Sequence, residues 1–180
     1  MSNAFLMELK EKISQQHEGD DKQLEVIFSN SPRIIVEAPA GYGKTTTMIS
    51  RIAYLFATGG IPNPKRILGL TFSVNAALKV KREVAEKLPA LLSTQNSPIA
   101  IGEKVTVTNY HGFASMILRN AGISSGVAEL IQTLLANSEK IVIPRYDLLV
   151  IDEYQDIDRE ISEMLECIKD QNPGIQIVAV

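Results

Sequence analysis

An apolar run that empties into a glycine-rich turn and then a helix leaves a chain few ways to fold, and residues 33–57 have that form. Arg33-Ile-Ile-Val-Glu37 reads as a strand, Ala38-Pro-Ala-Gly-Tyr-Gly-Lys-Thr45 as the turn, and a helical pattern covers 44–57. Small residues let the turn curl tightly, so its N–H groups converge on one point. The following helix N-terminus adds partial positive charge at the same place. That combination cradles the phosphates of a nucleoside triphosphate. On this reading Ala40, Gly41, Tyr42 and Gly43 supply the cradle, and Thr46 continues it into the helix. Lys44 reaches the β- and γ-phosphates, and the Thr45 hydroxyl holds Mg²⁺. The usual pattern opens with glycine, where this chain has Ala38. The competing reading of these residues alone is an ordinary turn before a core helix.

More than a hundred residues later, Leu148-Leu-Val-Ile151 forms a continuous apolar run, as a strand covered on both faces would. It ends in Asp152-Glu153-Tyr154-Gln155-Asp156. Carboxylates at the C-terminal end of a buried strand stand where α/β sheets place ligands. Asp152 is the candidate Mg²⁺ holder, through water. Glu153 is the candidate base for the water that attacks the γ-phosphate, with Gln155 positioning that water. A solvated helix N-terminus also favours acidic residues. The preceding phosphate cradle decides between the two readings, because the halves of one Mg-nucleotide site occur in the expected order.

The remaining pattern alternates strands and helices. Leu6, Leu9 and Ile13 mark a short N-terminal helix, and 21–29 a second one. Strand 66–71 leads to a helix over 74–88, expected to end at Pro89. A polar loop covers about 93–103. Strand 104–108 leads to helix 110–121, ended by Gly122, and another helix lies near 126–137. Strand 147–152, helix 159–171 and strand 175–180 follow. This order predicts an α/β fold with a mainly parallel sheet and helices on both faces. The chain has 180 residues, 45% hydrophobic and 22% charged, enough for one domain with a sizeable core. Cys167, the one cysteine, excludes an internal disulfide and is expected to be a buried thiol. With no long apolar run and no signal peptide, the chain reads as cytoplasmic, with no membrane partner. Met1-Ser-Asn-Ala4 has the form of a tag remnant and is set aside from the fold. A net charge of −3 is acidic for a nucleic-acid binder. Lys79, Lys81, Arg82, Lys104 and Arg119 are candidate backbone contacts, although most read as solvated surface.

Taken in order, these motifs resemble the first motor domain of superfamily 1 DNA helicases of the UvrD/Rep type. The resemblance rests on A-P-A-G-Y-G-K-T and I-D-E-Y-Q-D. It rests also on Leu70-Thr-Phe-Ser-Val-Asn-Ala-Ala77, similar to the family's "TFTNKAA", and on Val107-Thr-Asn-Tyr-His-Gly-Phe-Ala114, similar to its "T-x-H-S/G-F". It covers the chain from about Gln23 onward. It implies a RecA-like P-loop NTPase domain, ATP and Mg²⁺ as ligands, and an adenine-reading role for Gln23. It further implies a single-stranded DNA track past Thr71, Phe72, Asn75, Thr108 and His111. Tyr110 and Phe113 read as core.

Three departures bear on function. The family's "GDxxQ" motif and second motor domain would follow Gln176-Ile-Val-Ala-Val180, so the expectation is a monomeric single domain, 1–180, that binds ATP and hydrolyses it poorly. About 27 residues separate Arg119 from Asp147, where family members usually insert a helical subdomain. Thr46 stands where many members have an adenine-stacking arginine, and Val74 and Asn75 stand near a missing basic residue. The leading reading is the ATP-binding half of a DNA-dependent helicase or translocase, partnered in cis by a second motor domain. The alternatives are a nucleotide-binding regulatory module and a small P-loop kinase.

Overall fold

Strands buried on both faces need apolar residues at successive positions, and that requirement selects the sheet of this protein. A computed structural model describes residues 2–39, 41–93 and 101–180. The strands are β1 (Arg33–Ile35), β2 (Ile67–Thr71), β3 (Thr106–Asn109), β4 (Leu148–Ile151) and β5 (Gln176–Ala179). They form one sheet in the order β1-β5-β4-β2-β3, with every pairing parallel. The helices are α1 (Asn3–Gln16), α2 (Asp21–Phe28), α3 (Lys44–Ala57), α4 (Val74–Leu92), α5 (Tyr110–Asn120), α6 (Leu130–Ala136) and α7 (Arg159–Gln171).

Side chains alternate across a strand, so each central strand feeds two cores. Leu148 and Val150 of β4 join Leu9, Ile13, Ile49, Ile52, Val84 and Leu88, which come from α1, α3 and α4. Leu149 and Ile151 join Phe113, Ile117, Leu134, Met164 and Ile168, which come from α5, α6 and α7. The expected α/β architecture, with helices on both faces, is what the chain forms. Tyr110 and Phe113 are core residues, as the sequence suggested.

Four local expectations change. Helix α4 does not stop at Pro89 but runs to Leu92. Proline removes one N–H from the ladder, yet burial of Leu91 and Leu92 outweighs that loss. The Ser93 N–H donates to the Pro89 carbonyl at 2.8 Å, and Lys12 Nζ donates to the Ser93 carbonyl at 3.3 Å, so the helix end is closed. The segment near 126–137 opens as a 3₁₀ turn, Val127–Glu129, before α6. Cys167 is half-buried rather than buried, and burial followed by nearby Asp170 pushes its thiol upward. Finally, Ser2 belongs to the fold, because its side chain caps α1 by accepting from the Phe5 N–H. Residues 94–100 of the expected polar loop lie outside the described residues. Within its remainder, Gly102–Lys104 forms a short 3₁₀ turn.

Candidate nucleotide-binding site

The phosphate-cradling loop leaves β1 and the acidic motif leaves β4, with β5 alone between them. Neighbouring strands lie about 4.8 Å apart, so the two loops start roughly 10 Å from each other. That gap admits a polyphosphate. Two clefts meet there. One of about 530 Å³ is lined by Ala38, Pro39, Lys44, Tyr154 and Gln155. The other, about 670 Å³, is lined by Gln23, Val26, Ile34, Tyr42, Lys44 and Thr47.

The loop takes the shape its residues predict. Gly41 and Gly43 have φ of +87° and +74°, values that L side chains rarely adopt. Gly43 forms the N-cap of α3, and no side chain caps that end. The first N–H groups of a 14-residue helix therefore stay available to an anion. Tyr42 is exposed, whereas Lys44, Thr45 and Thr46 are half-buried. Ala40 lies outside the described residues. Thr46 Oγ1 accepts from Lys87 Nζ of α4 at 3.2 Å, and Thr46 lines neither cleft.

Lys44 Nζ stands 3.9 Å from Glu153 Oε2. Glu153 itself has φ of +57°, the one non-glycine residue with positive φ among the described residues. Such a conformation is uncommon for glutamate, and functional sites concentrate such outliers. Here it turns the chain straight out of β4, and the Tyr154 N–H then donates to the Val180 carbonyl at 3.0 Å. Gln155 Nε2 donates to Glu153 Oε2. Burial is the main influence that raises the Asp152 carboxyl above its ordinary value, and Glu153 adds to it while Lys44 opposes it. Lys79 opposes it as well, more weakly than Lys44, yet the net influence on this half-buried carboxylate still raises it. Carboxylate oxygens of this kind are the donor chemistry that suits a hard divalent cation.

The second set of candidates gathers on the same sheet edge. Thr71 of β2 pairs in register with Asn109 of β3, and Leu70 with Thr108. Thr71 is buried, and its hydroxyl donates to the Ser73 carbonyl at 2.9 Å. It shapes the turn instead of facing solvent. Phe72, Asn75 and His111 are exposed. Thr108 is half-buried against Gly112, where an added Cβ would lie 2.5 Å from the Thr108 hydroxyl. The structure thus brings Gln23, Gly41 to Thr45, Asp152, Glu153 and Gln155 around one gap. Phe72, Asn75 and His111 open onto the neighbouring surface.

Sequence reasoning missed His17, Ser50 and Arg51. His17 and Ser50 are buried and hydrogen-bonded at the edge of the larger cleft. Arg51 interrupts the apolar run Met48-Ile-Ser-Arg-Ile-Ala53, which was the available signal for a buried cation. No local pattern marks His17.

The family model for the UvrD/REP helicase N-terminal domain matches residues 19–143. The chain belongs to that family. The ATP-dependent DNA helicase PcrA of Leuconostoc citreum is 30% identical over 126 residues, 70% of this chain and 16% of that protein. A probable DNA helicase II homolog of Mycoplasma pneumoniae is 34% identical over 110 residues, 58% of this chain and 14% of that protein. An ATP-dependent helicase/nuclease polypeptide of Streptococcus thermophilus is 30% identical over 165 residues, covering 76% of this chain and 13% of that protein. The chain therefore spans less than a fifth of each relative's length. No helix among the described residues is long and apolar enough to cross a membrane.

Proposed function

We propose that this chain is the ATP-binding domain of a DNA-dependent ATPase that couples hydrolysis to movement along DNA or to its unwinding. The observation that carries the reading is the 3.9 Å approach of Lys44 to Glu153, which joins two motifs far apart in sequence at one sheet edge. The relatives' names, ATP-dependent DNA helicase among them, support it.

The chemistry follows from charge. In the absence of nucleotide, Lys44 and Glu153 partly neutralise each other. A bound triphosphate draws Lys44 to its β- and γ-oxygens, and the uncapped start of α3 donates to the same oxygens. Thr45 and Asp152 would hold Mg²⁺, whose charge offsets that of the phosphates. Glu153, released from the lysine, orients a water and accepts its proton as the water oxygen bonds to the γ-phosphorus. The bond from that phosphorus to the bridging oxygen breaks, giving ADP and phosphate. Gln155 holds the Glu153 carboxylate through its amide N–H. Gln23 reads the adenine edge from the larger cleft. Phe72, Asn75 and His111 face the DNA track, and Thr71 and Thr108 support it from beneath. A second motor domain would complete the γ-phosphate contacts, so slow turnover is the expected outcome for these 180 residues alone.

The test is Mg-ATP binding and hydrolysis with and without a single-stranded DNA oligomer, for wild type and Lys44→Ala. Wild type should bind ATP, turn it over slowly and respond little to DNA, and Lys44→Ala should lose at least about tenfold in affinity. Unchanged affinity and turnover in Lys44→Ala would sink the site. Rapid turnover by the chain alone would replace the two-domain reading.

A further inference from the structure

We infer that His17 is a positioning residue that locks the Gln23 carboxamide in the orientation that selects adenine over guanine. The inference rests on the proposed role of Gln23 and goes beyond it, because nothing in the phosphate or acidic motifs involves α1.

His17 is the C-terminal cap of α1 and is 4% exposed. A turn through Gly19, with φ of +84°, brings Asp20 round to cap α2 by accepting from the Gln23 N–H. That turn sets the His17 ring against the Gln23 side chain. His17 Nδ1 lies 2.5 Å from Gln23 Oε1, and His17 Nε2 lies 2.9 Å from Ser50 Oγ. Gln23 Nε2 donates to the Tyr42 carbonyl at 3.0 Å. The amide lies over the cradle itself, since a Cβ on Gly43 would be 3.5 Å from Gln23 Nε2.

The donor and acceptor identities follow from chemistry. A backbone carbonyl accepts only, so the amide nitrogen must face Tyr42 and the amide oxygen must face His17. An amide oxygen also accepts only, so His17 Nδ1 carries a proton. In the neutral ring Nε2 then accepts from the Ser50 hydroxyl, which is fully buried on α3. The result is a directed chain of donors from Ser50 to His17 to Gln23 to the Tyr42 carbonyl. It ties α3, α1, α2 and the cradle together. Flipping the amide would set oxygen against oxygen at Tyr42 and force the His17 ring into its other tautomer, with Ser50 Oγ then accepting from Nε2.

Each end of the fixed amide keeps spare capacity. Oε1 retains a lone pair and Nε2 a second proton. Adenine presents an N6–H donor beside the N7 acceptor, which this pair matches. Guanine presents O6 beside N7, two acceptors, and the locked Oε1 would oppose O6. Without His17 the amide oxygen loses the partner that holds it, and the amide is then retained by the Tyr42 carbonyl alone and turns more readily to offer N–H to O6 of guanine. A bidentate amide contact of this kind discriminates by roughly five- to a hundredfold.

The experiment measures dissociation constants of Mg-ATP and Mg-GTP by calorimetry for wild type, Gln23→Ala, His17→Ala, His17→Asn and His17→Asp. Cooperative melting is checked first for each variant. The expected result is that His17→Ala lowers the ATP preference roughly tenfold, as Gln23→Ala does. His17→Asn, which keeps an N–H near the Nδ1 position, should restore most of it. Should His17→Ala fail to melt cooperatively, the Asn and Asp variants decide. Asparagine presents a donor to Oε1 and aspartate an acceptor, so Asn should retain the preference and Asp lose it. Loss of preference in Gln23→Ala with full retention in His17→Ala, or equal preference in Asn and Asp, overturns the role of His17 alone. A wild type without preference, or a Gln23→Ala variant that keeps it, overturns the adenine-reading role of Gln23 and the inference with it.

Discussion

A phenol hydroxyl without a partner is costly to bury, and Tyr110 buries one. The residue is 1% exposed, and its oxygen has no hydrogen-bond partner among the described residues. An unpaired buried hydroxyl costs roughly 1–3 kcal/mol. Tyr110→Phe keeps the ring and removes the orphan, so stability should rise by about 1 kcal/mol in urea melts at neutral pH. Burial first, and then the charges of Asp152 and Asp156, push the phenol well above its ordinary value of 10.0. The folded value is the raised one, so this group leaves stability independent of pH below 10 and lowers it as pH rises beyond, where the unfolded chain ionises first. Tyr110→Phe should therefore show a flatter alkaline limb than wild type, and superimposable limbs would place the hydroxyl in water. Arg51 also leaves one buried atom, Nε, without a partner, but its two Nη atoms are both engaged. Its guanidinium is buried, burial lowers its pKa, and among the described residues it has no carboxylate partner within salt-bridge distance. Nη1 donates to the carbonyls of Val26, Ile27 and Ser29, and Nη2 donates to that of Ser31. A cation there offsets the negative end of the α2 dipole. Arg51→Met should cost roughly 1–3 kcal/mol for the Ile27 carbonyl, whose contact is the one fully buried among the four, and less for the three part-buried ones. Arg51→Lys, with three donors for four carbonyls, should recover part of that loss, and equal melting of all three proteins would refute this account.

Elements meet by close backbone approach at Gly102. A Cβ built there would lie 2.6 Å from the Val84 carbonyl oxygen and 2.6 Å from the Ala85 Cα. Both neighbours are backbone atoms of α4, so no side chain can swing aside. Gly102→Ala should cost roughly 1–3 kcal/mol through forced separation of the turn from α4. A melt unchanged from wild type would show that the turn moves freely. Contacts of this kind also mark the limit of what the sequence reveals about elements. Helices α3 and α7 were legible to the residue, because 3.6-residue periodicity and the stop at Pro173-Gly174 are local signals. The end of α4 was not, because a local rule about Pro89 lost to burial of Leu91 and Leu92 against distant residues. His17, Ser50 and Gly102 are equally invisible locally. Their partners lie 6 and 33 residues away for His17, and on a separate helix for Gly102.

At the scale of the molecule, the sequence carries the motifs in order but not the strand that separates them. Residues 33–45 and 148–156 declare a phosphate cradle and an acidic partner. Only the order β1-β5-β4-β2-β3 places β5 between them and opens the gap. Strand order depends on long-range pairing, which no window of sequence contains. The same assembly predicts how the whole domain responds to its ligand. The cradle, Lys44, Gln23 and Asp152 come from four separate elements or loops, so the complete site exists only in the folded chain. A ligand that binds only the folded state stabilises it by about 2.7 kcal/mol at a hundred times its dissociation constant. For a domain of this size that corresponds to roughly 5–10 °C in melting temperature. Mg-ATP at that excess should raise the melting temperature of wild type by this amount in a scanning fluorescence melt. Chelating the metal should remove most of the shift, because Asp152 and Glu153 then face the phosphates without a compensating cation. Lys44→Ala should melt near wild type without nucleotide, since its partly exposed ion pair with Glu153 contributes little, and should show almost no shift with it. A full shift in Lys44→Ala would mean that the nucleotide sits elsewhere. No shift in wild type at saturating nucleotide would mean that the gap between β1 and β4 does not bind it.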